Sequence, residues 1–303
     1  MRSLRLATRG SPLAVCQAEL VARSLRDLNQ GLEIGLVVVR TRGDDLSASL
    51  DQIGGQGAFV TEVEAAVAEG RADAAVHSAK DMPSTMSAGM VLAAVPGRAD
   101  HRDGLVGCAL ADLPPGGLIA TGSARRRAQL AYLRPDLIFT EVRGNMERRV
   151  SLGEDGSVDA VVVAVAAMER LGWMHRLTDI LSPIDVLPQA GQGAIAVQCR
   201  AGDSATHALL SAIDDAASHR ALRAERAVLA GLGGSCTAPV GAWAECTPDS
   251  SVHVHGLVAS GDGHVVVRMS RRGDDPESAG AAVAHALLVD GGGSGLEGFG
   301  SSR

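Results

Sequence analysis

The chain has 303 residues, of which 46% are hydrophobic and 2% aromatic, and its formal net charge at pH 7 is -7. This length and apolar content favour a globular protein of two or three domains with well-filled cores. The negative charge and the scarcity of aromatic rings argue against a nucleic-acid partner. No uninterrupted apolar window has membrane-spanning length and the N-terminus lacks a signal-peptide core, so we expect a cytoplasmic protein without membrane association.

The first two thirds of the chain alternate short apolar runs with helical patterns. Ser11 and Pro12, which follow the apolar run 4–7, have the pattern of a helix N-cap with proline at the first helical position. Further strands are predicted at 36–39, 72–76, 91–95, 118–121, 137–142 and 159–165, with helices at 59–69 and 123–133. These two successive sets predict an α/β protein with two doubly wound lobes on parallel sheets and a cleft between them.

The pattern changes after about residue 215. A helical pattern at 219–232 is followed by runs that alternate apolar and polar residues at 240–245, 252–260 and 264–269. They predict a small α+β third domain with an antiparallel sheet. The predicted domains are 1–97 (completed by about 192–214), 98–191 and 215–290, and we expect the Gly/Ser-rich tail 291–303 to be disordered.

The chain has five cysteines, and no two of them form a C-x-x-C pair. Neither a disulfide framework nor a zinc site is therefore predicted, and we expect no metal centre. Cys236 differs from the others because it lies in a glycine-rich loop between a helix and a strand, where a thiol is open to modification. The local pattern leaves a reactive thiol and a packed thiol equally open.

Two glycine-rich segments match nucleotide-binding loops only in part. The run 54–57 lacks the Gly-Lys-Ser/Thr ending of a P-loop. The run 191–196 matches the dinucleotide fingerprint letter for letter, but it leads into a strand and no helix follows it directly. We interpret the first as a flexible lid and the second as a turn that crosses between domains.

Lys80 is the only lysine in the chain, since every other basic side chain is arginine. It stands beside Asp81 at the end of an apolar run that is typical of a buried strand. Open α/β sheets form their ligand crevices at the ends of strands. The pair therefore marks a candidate site.

Arginines cluster at predicted strand ends. Arg125, Arg126 and Arg127 occupy the first turn of a predicted helix, where the helix dipole disfavours positive charge. Other strand ends are followed by Arg9, Arg143 and Arg149. Because guanidinium groups and backbone amides bind anions together, the set predicts a polycarboxylate or polyphosphate site in the cleft. The alternative for any single member is a solvated surface arginine.

Together these segments closely resemble the hydroxymethylbilane synthase family, also called the porphobilinogen deaminases. The shared motifs run in order through 7–14, 75–81, 143–145, 191–194 and 234–236. The resemblance implies a transferase of tetrapyrrole and heme biosynthesis, whose first two domains are similar to the lobes of periplasmic anion-binding proteins. It implies head-to-tail joining of four porphobilinogen molecules on a covalent dipyrromethane cofactor, with release of ammonia and hydrolysis to hydroxymethylbilane.

The resemblance also assigns roles by position. Cys236 would hold the dipyrromethane through a thioether, and Asp81 would be the catalytic acid beneath the pyrrole rings. Further implied cofactor contacts are Lys80, Ser123, Arg125, Arg126 and Arg149. Implied substrate contacts are Arg9, Ser11, Gln17, Arg143, Arg170 and Gln192. The arginines would pair with the acetate and propionate groups of each porphobilinogen unit, since guanidinium groups bind carboxylates in a bidentate manner.

Three features depart from the family pattern. Gln56 and Thr61 stand where relatives commonly carry lysines, and Gly122 replaces a hydroxyl residue before the paired arginines. The third is the tail, which takes the place of ordered structure in relatives. We expect an active enzyme, with altered substrate affinity or lid behaviour.

Two other classes of protein are compatible with part of the pattern. A noncatalytic two-lobed anion-binding protein would explain the arginines but would leave Cys236 and the third domain without a role. A ligand-sensing regulator would need a DNA-binding helix-turn-helix module, and none is visible. The polar surface, poor in aromatic residues, favours a monomer.

Overall fold

The computed structural model describes residues 3–41, 59–233 and 238–299. The strands are β1 (Ser3–Arg9), β2 (Glu33–Val39), β3 (Ala74–Ser78), β4 (Met90–Ala94), β5 (Asp103–Gly107), β6 (Leu118–Ala120), β7 (Ile138–Thr140), β8 (Ala160–Ala164), β9 (Asp179–Ile180), β10 (Ile195–Arg200), β11 (Val240–Cys246), β12 (Val252–Ala259) and β13 (Val266–Gly273).

The α-helices of these described ranges are α1 (Pro12–Leu28), α2 (Thr61–Ala68), α3 (Ala124–Leu133), α4 (Met146–Glu154), α5 (Val165–Arg170), α6 (Ser204–Ser211), α7 (Ala216–Gly231) and α8 (Pro276–His285). Short 3-10 turns lie at Ala79–Asp81, Met174–Arg176 and Gly293–Gly295, and a π-helical turn lies at Ala286–Asp290. None of the helices in the described ranges is long and apolar enough to cross a membrane.

The chain divides into two compact units. The first comprises Met1–Ala99 with Gly193–His219, and the second comprises Asp100–Gln192 with Arg220–Arg303. The finer division into three domains with the boundaries given above stays a prediction.

The first unit contains a five-stranded sheet in the order β2-β1-β3-β10-β4. β1 pairs in parallel with β2 and β3, whereas β10 runs antiparallel to β3 and β4. Leu6 of β1 belongs to a core shared with Leu25 of α1, and Ala7 belongs to a separate core shared with Val63 of α2. Both faces of the sheet are therefore buried, which explains the near-continuous apolar runs of its strands.

The second unit contains a five-stranded sheet with the same pattern, in the order β7-β6-β8-β5-β9. β6 is parallel to β7 and β8, and β5 is antiparallel to β8 and β9. Successive residues Ile119 and Ala120 again belong to different cores. Like the first sheet, this one is covered on both faces.

The predicted α/β class is confirmed, but the two sheets are mixed rather than parallel. Two strands of the second sheet, β5 and the two-residue β9, were not predicted from the sequence. A strand that is buried on both faces gives the same apolar run in either direction. Periodicity therefore does not reveal that β5 and β10 run against their neighbours.

The second unit also contains the predicted antiparallel sheet, formed by β11, β12 and β13. Helices α7 and α8 pack on one face of it through Val228 and Val283. Gly280 of α8 lies so close to the carbonyl oxygen of Ala224 in α7 that any side chain there would collide with it. The two helices therefore approach each other closely over this sheet.

The segment after residue 290 packs onto the protein. Phe299 is 6% exposed and lies in the core of the three-stranded sheet, with Leu296 packed against the same core. The expectation of a disordered tail is thus wrong for residues 291–299, because two apolar anchors outweigh the Gly/Ser-rich composition. Residues 300–303 lie outside the described ranges.

Candidate active site

Lys80 and Asp81 lie in a 3-10 turn that follows β3 directly. The turn is anchored by buried neighbours, because Ala79 donates its N–H to Ala194 O over 3.0 Å and Met82 is 2% exposed. Both Lys80 and Asp81 are partly exposed. The sequence therefore places a carboxylate and an amine on a fixed turn at the carboxyl end of a buried strand, where this class of sheet binds its ligands.

The carboxyl end of β1 brings further predicted residues to the same edge of the first sheet. Arg9 is the last residue of β1, and its guanidinium lies over the ring of Phe59, 4.2 Å from the centroid. Ser11 is the N-cap of α1 and its hydroxyl oxygen accepts the N–H of Ala14. Gln17 is buried, and its amide nitrogen lies 3.4 Å from Ser78 Oγ, which accepts its hydrogen bond.

In the second unit, Arg125 and Arg126 form a buried ion cluster with Asp103. Asp103 is 0% exposed, and its two carboxylate oxygens lie 2.8 Å from Arg125 Nη2 and 2.7 Å from Arg126 Nη2. The amide nitrogen of Gln192, which is also fully buried, donates to Asp103 Oδ1 over 2.8 Å and to the carbonyl of His101. The arginines are fixed from the other side by the carbonyl oxygens of Leu187 and Val162.

The cluster sets two guanidinium groups against one carboxylate and therefore has one unbalanced positive charge. Burial alone would raise the pKa of Asp103, but the two arginines hold it well below its usual range. Burial lowers the pKa of Arg125, although Asp103 partly offsets this effect. Moreover, the Nε–H of Arg125 is buried and has no hydrogen-bond partner among the described residues. Excess charge and a spare donor are what a buried anion-binding site requires.

The arginine-rich helix start thus has a partner that the sequence analysis missed. An anionic ligand was predicted from the cations in the first turn of α3. The buried carboxylate of Asp103 already accounts for two of them, Arg125 and Arg126. The available signal was an acid at the first position of the buried run 103–107. A buried acid requires a cation, and the neighbouring Arg102 does not supply it because it pairs with Asp100.

The remaining predicted residues of this unit lie near the carboxyl ends of the parallel strands β6, β7 and β8. Ser123 caps α3 and accepts the N–H of Arg126. Arg143 follows β7, and Arg149 lies in the helix α4, which Asn145 caps. Arg170 is the last residue of α5, which begins directly after β8. Ser123 and Arg143 thus follow the carboxyl ends of β6 and β7 in the chain, whereas Arg149 and Arg170 lie within the helices that come after β7 and β8.

Two of the predicted features lie outside the described residues. One is Cys236 with its glycine-rich loop, and the other is the glycine run 54–57 together with Gln56. Gly191 and Gly193 are described, and both have the left-handed backbone conformation, with φ of 74° and 85°. The division between the two units falls between Gln192 and Gly193.

The chain is similar to porphobilinogen deaminases over nearly its whole length. The family model "Porphobilinogen deaminase, dipyromethane cofactor binding domain" matches residues 4–208, and "Porphobilinogen deaminase, C-terminal domain" matches residues 220–289. The porphobilinogen deaminase of Roseiflexus castenholzii is 43% identical over 295 residues, which cover 96% of this chain and 97% of that protein. The enzyme of the same name from Stenotrophomonas maltophilia is 44% identical over 299 residues, with coverage of 97% and 98%.

Among solved structures, the methionine binding protein MetQ is similar over 69% of this chain and 88% of its own. The sequence identity is 10% and the TM-score is 0.41.

Proposed function

The chain belongs to the porphobilinogen deaminase family, and from that premise we propose how its own residues make hydroxymethylbilane. It is an enzyme of tetrapyrrole biosynthesis with porphobilinogen as its substrate and dipyrromethane as its cofactor. As a transferase, it would join four porphobilinogen molecules head to tail, release one ammonia for each, and free the product by hydrolysis. The observation that carries this proposal is the buried arginine cluster with its unbalanced positive charge.

The residues of the second unit fit a cofactor that carries carboxylate groups. Arg125 has a buried Nε–H with no partner among the described residues, and the cluster around Asp103 lacks one negative charge. When bound, the dipyrromethane supplies the free pyrrole end to which substrate units are added. We propose that Cys236 holds it by a thioether and that Ser123, Arg125, Arg126 and Arg149 bind its acidic side chains.

Asp81 is the proposed catalytic residue. As ammonia leaves the aminomethyl carbon of porphobilinogen, positive charge develops on the substrate ring, and a fixed carboxylate stabilises that charge. The same carboxylate can accept the proton that the pyrrole carbon loses after the new carbon–carbon bond forms. Lys80, on the same turn, would contact the cofactor.

The arginines at both sheet edges are proposed to bind the substrate's acetate and propionate groups. Arg9, Arg143 and Arg170 would do so directly, with Ser11 and Gln17 as polar contacts. Because each added unit brings two more carboxylates, several guanidinium groups are needed to offset their mutual repulsion. Gln192 is fully buried with its amide on Asp103, so we propose that it positions Asp103 rather than contacting substrate.

Intact-mass spectrometry tests the proposal. The purified protein should be heavier than its polypeptide by two pyrrole units, and Cys236→Ser should have the bare polypeptide mass. Cys246→Ser is the matched control and should keep the adduct. A bare mass for the wild-type protein, together with tight binding of polycarboxylates and no bilane production, would instead support the noncatalytic anion-binding protein.

A cytoplasmic location and a monomeric state are also proposed. Cell fractionation tests the first, and light scattering of the purified enzyme tests the second.

A further inference from the structure

A second cluster of chemically active side chains lies on the three-stranded sheet of the second unit. Glu245 of β11 is directly opposite His253 of β12, and His255 lies two residues further along β12. Because side chains alternate across a strand, these three residues share one face of the sheet. The opposite face, which carries Ala244 and Val254, packs in the core with α7 and α8.

The three side chains are close enough to bind one ion. Their potential ligand atoms all lie within 4.8 Å of one another. His253 Nδ1 is 3.9 Å from Glu245 Oε1, which is too long for a hydrogen bond between them. Two ligand atoms of a tetrahedral zinc ion with bonds of about 2.0–2.1 Å lie about 3.3 Å apart. Small side-chain rotations therefore suffice to bring these donors onto a common ion.

The ring of His255 is held in place by its neighbours. It stacks on Trp243 with centroids 5.1 Å apart, and Trp243 stacks in turn on His101 at 4.7 Å. His255 Nε2 is buried and has no hydrogen-bond partner among the described residues. Buried polar atoms almost always have a partner, so this nitrogen points to a missing ligand.

The electrostatic setting of the cluster favours a cation. Burial lowers the pKa of His255, as does the neighbouring His253, while Glu245 acts in the opposite direction. Metal ions bind the neutral form of the imidazole ring. Glu245 supplies a negative charge. Arg272 is paired in register with His253 on the other side of β12, and its positive charge limits the affinity.

We propose that Glu245, His253 and His255 bind one divalent transition-metal ion, with a coordination position left open to water. Two imidazoles and a carboxylate suit Zn²⁺, Cu²⁺ or Ni²⁺, whereas Mg²⁺ and Ca²⁺ prefer oxygen ligands alone. The site is separate from the residues assigned to the condensation, so it does not depend on the proposed function. No metal was predicted from the sequence, because the chain has no C-x-x-C pair and histidines at alternate positions are also typical of an ordinary half-buried strand.

Calorimetry with ZnCl2 tests the site on the full-length protein with its cofactor attached, after removal of bound metal by a chelator. The wild-type protein should bind one Zn²⁺ in a site that His253→Gln and His255→Gln each weaken by about 100-fold or abolish. His264→Gln, which alters an exposed histidine paired with Asp262, is the matched control and should bind as the wild type does. Equal binding by all four proteins, or no binding by the wild type, overturns the proposal.

A fluorescence experiment adds a second readout that is local to the proposed site. The chain has two tryptophans, so Trp173→Phe leaves Trp243, which stacks on His255, as the reporter. Cu²⁺ should quench this emission in a saturable way, and His253→Gln, which leaves the stack intact, should remove the saturable phase. Arg272→Ala should shift saturation to lower Cu²⁺. Unchanged quenching in His253→Gln would place the ion elsewhere.

Discussion

The two five-stranded sheets share one pattern of strand directions but differ in chemistry at corresponding positions. In each, a central strand (β1 or β6) lies between two parallel neighbours, and an antiparallel strand (β10 or β5) separates this trio from the last strand. The central strands lead into helices that are capped alike, by Ser11 and by Ser123. The scaffold is thus repeated down to the capping residue.

The chemistry differs at two corresponding points. After β3 come Lys80 and Asp81 on a partly exposed turn, whereas after β8 the chain enters α5 with buried Val165. The antiparallel strand begins with Ile195 in the first sheet and with Asp103 in the second, each opposite the last residue of its neighbour. We infer that the first sheet supplies the acid of the reaction, while the second buries its acid to hold arginines for anion binding.

The largest expected effect is on turnover, and it tests the inference that the first sheet supplies the acid of the reaction. Asp81→Asn keeps the shape of the side chain but removes the negative charge that faces the developing cation. The rate of hydroxymethylbilane formation should fall by about 10²–10⁴-fold, while the thermal unfolding midpoint stays unchanged. Asp73→Asn, which alters a surface acid paired with Arg5, is the control and should retain normal turnover. Near-normal production by Asp81→Asn would remove this acid from the mechanism.

The second half of the comparison is tested by Asp103→Asn. The substitution leaves two buried guanidinium groups without their counter-charge, so the free energy of unfolding should fall by about 3–5 kcal/mol. The ionised acid stabilises the fold at neutral pH, and this contribution is lost only in strong acid, because the arginines hold the pKa of Asp103 far below its usual range. Denaturant unfolding measures the loss.

Asp100→Asn is the control for that experiment, because Asp100 forms a much more exposed pair with Arg102. Asp100→Asn should lower the free energy of unfolding by at most about 1 kcal/mol. If Asp103→Asn does not fold, Gln192→Ala offers a milder test, since it keeps all three charges and removes only the hydrogen bonds from Gln192 to Asp103 and to the carbonyl of His101. Equal stabilities for the two aspartate variants would contradict the buried-cluster interpretation.

Local chemistry explains which parts of the fold were predictable. Ser11 was predicted as a helix cap because capping depends on residues within one turn. The three-stranded sheet was predictable because strands with one buried face alternate apolar and polar residues. The ordered segment 291–299 was missed because two isolated anchors, Leu296 and Phe299, in a Gly/Ser-rich segment give no periodic signal.

The candidate site also contains residues that have a local sequence signal and residues that have none. Asp81 and the arginines could be predicted because they lie in short motifs that are recognisable in the sequence. The partnership of Asp103 with Arg125 spans 22 residues and depends on β5 entering the sheet beside β8, so no local pattern reports it. Gln192 illustrates a further limit, since an amide reads the same whether it faces a substrate or a buried carboxylate. The sequence gives the identity of each residue, but only the structure shows which partner its side chain faces.

A smaller effect is expected at His77, the residue before the end of β3, whose counterpart in β8 is Val163. Burial lowers the pKa of His77 to about 4. Between its ordinary value near 6.5 and about 4, the unfolded chain binds a proton that the folded protein does not. Stability should therefore fall as the pH falls, by about 2 kcal/mol between pH 7 and pH 5 from this residue.

His77→Val introduces the residue found at the corresponding position of β8. It should remove the contribution of His77 to the pH dependence of stability. Urea unfolding of both proteins at pH 7 and pH 5 gives the comparison directly. The two proteins should differ in slope against pH, and parallel curves would show that His77 is not held neutral in the folded state.

The smallest effect concerns the glycines that precede the two capping serines. A Cβ added at Gly122 would lie 2.9 Å from the backbone oxygen of Val142, whereas one at Gly10 would meet only the side chain of Val38, at 3.3 Å. Val38 is 59% exposed and its side chain can move, but a backbone carbonyl cannot move as easily. Gly122→Ser should therefore lower the free energy of unfolding by about 1 kcal/mol, and Gly10→Ser by less than half of that. A residue with a side-chain hydroxyl is thus disfavoured by packing at position 122, and a denaturant midpoint for Gly122→Ser at or above that of Gly10→Ser would refute this explanation.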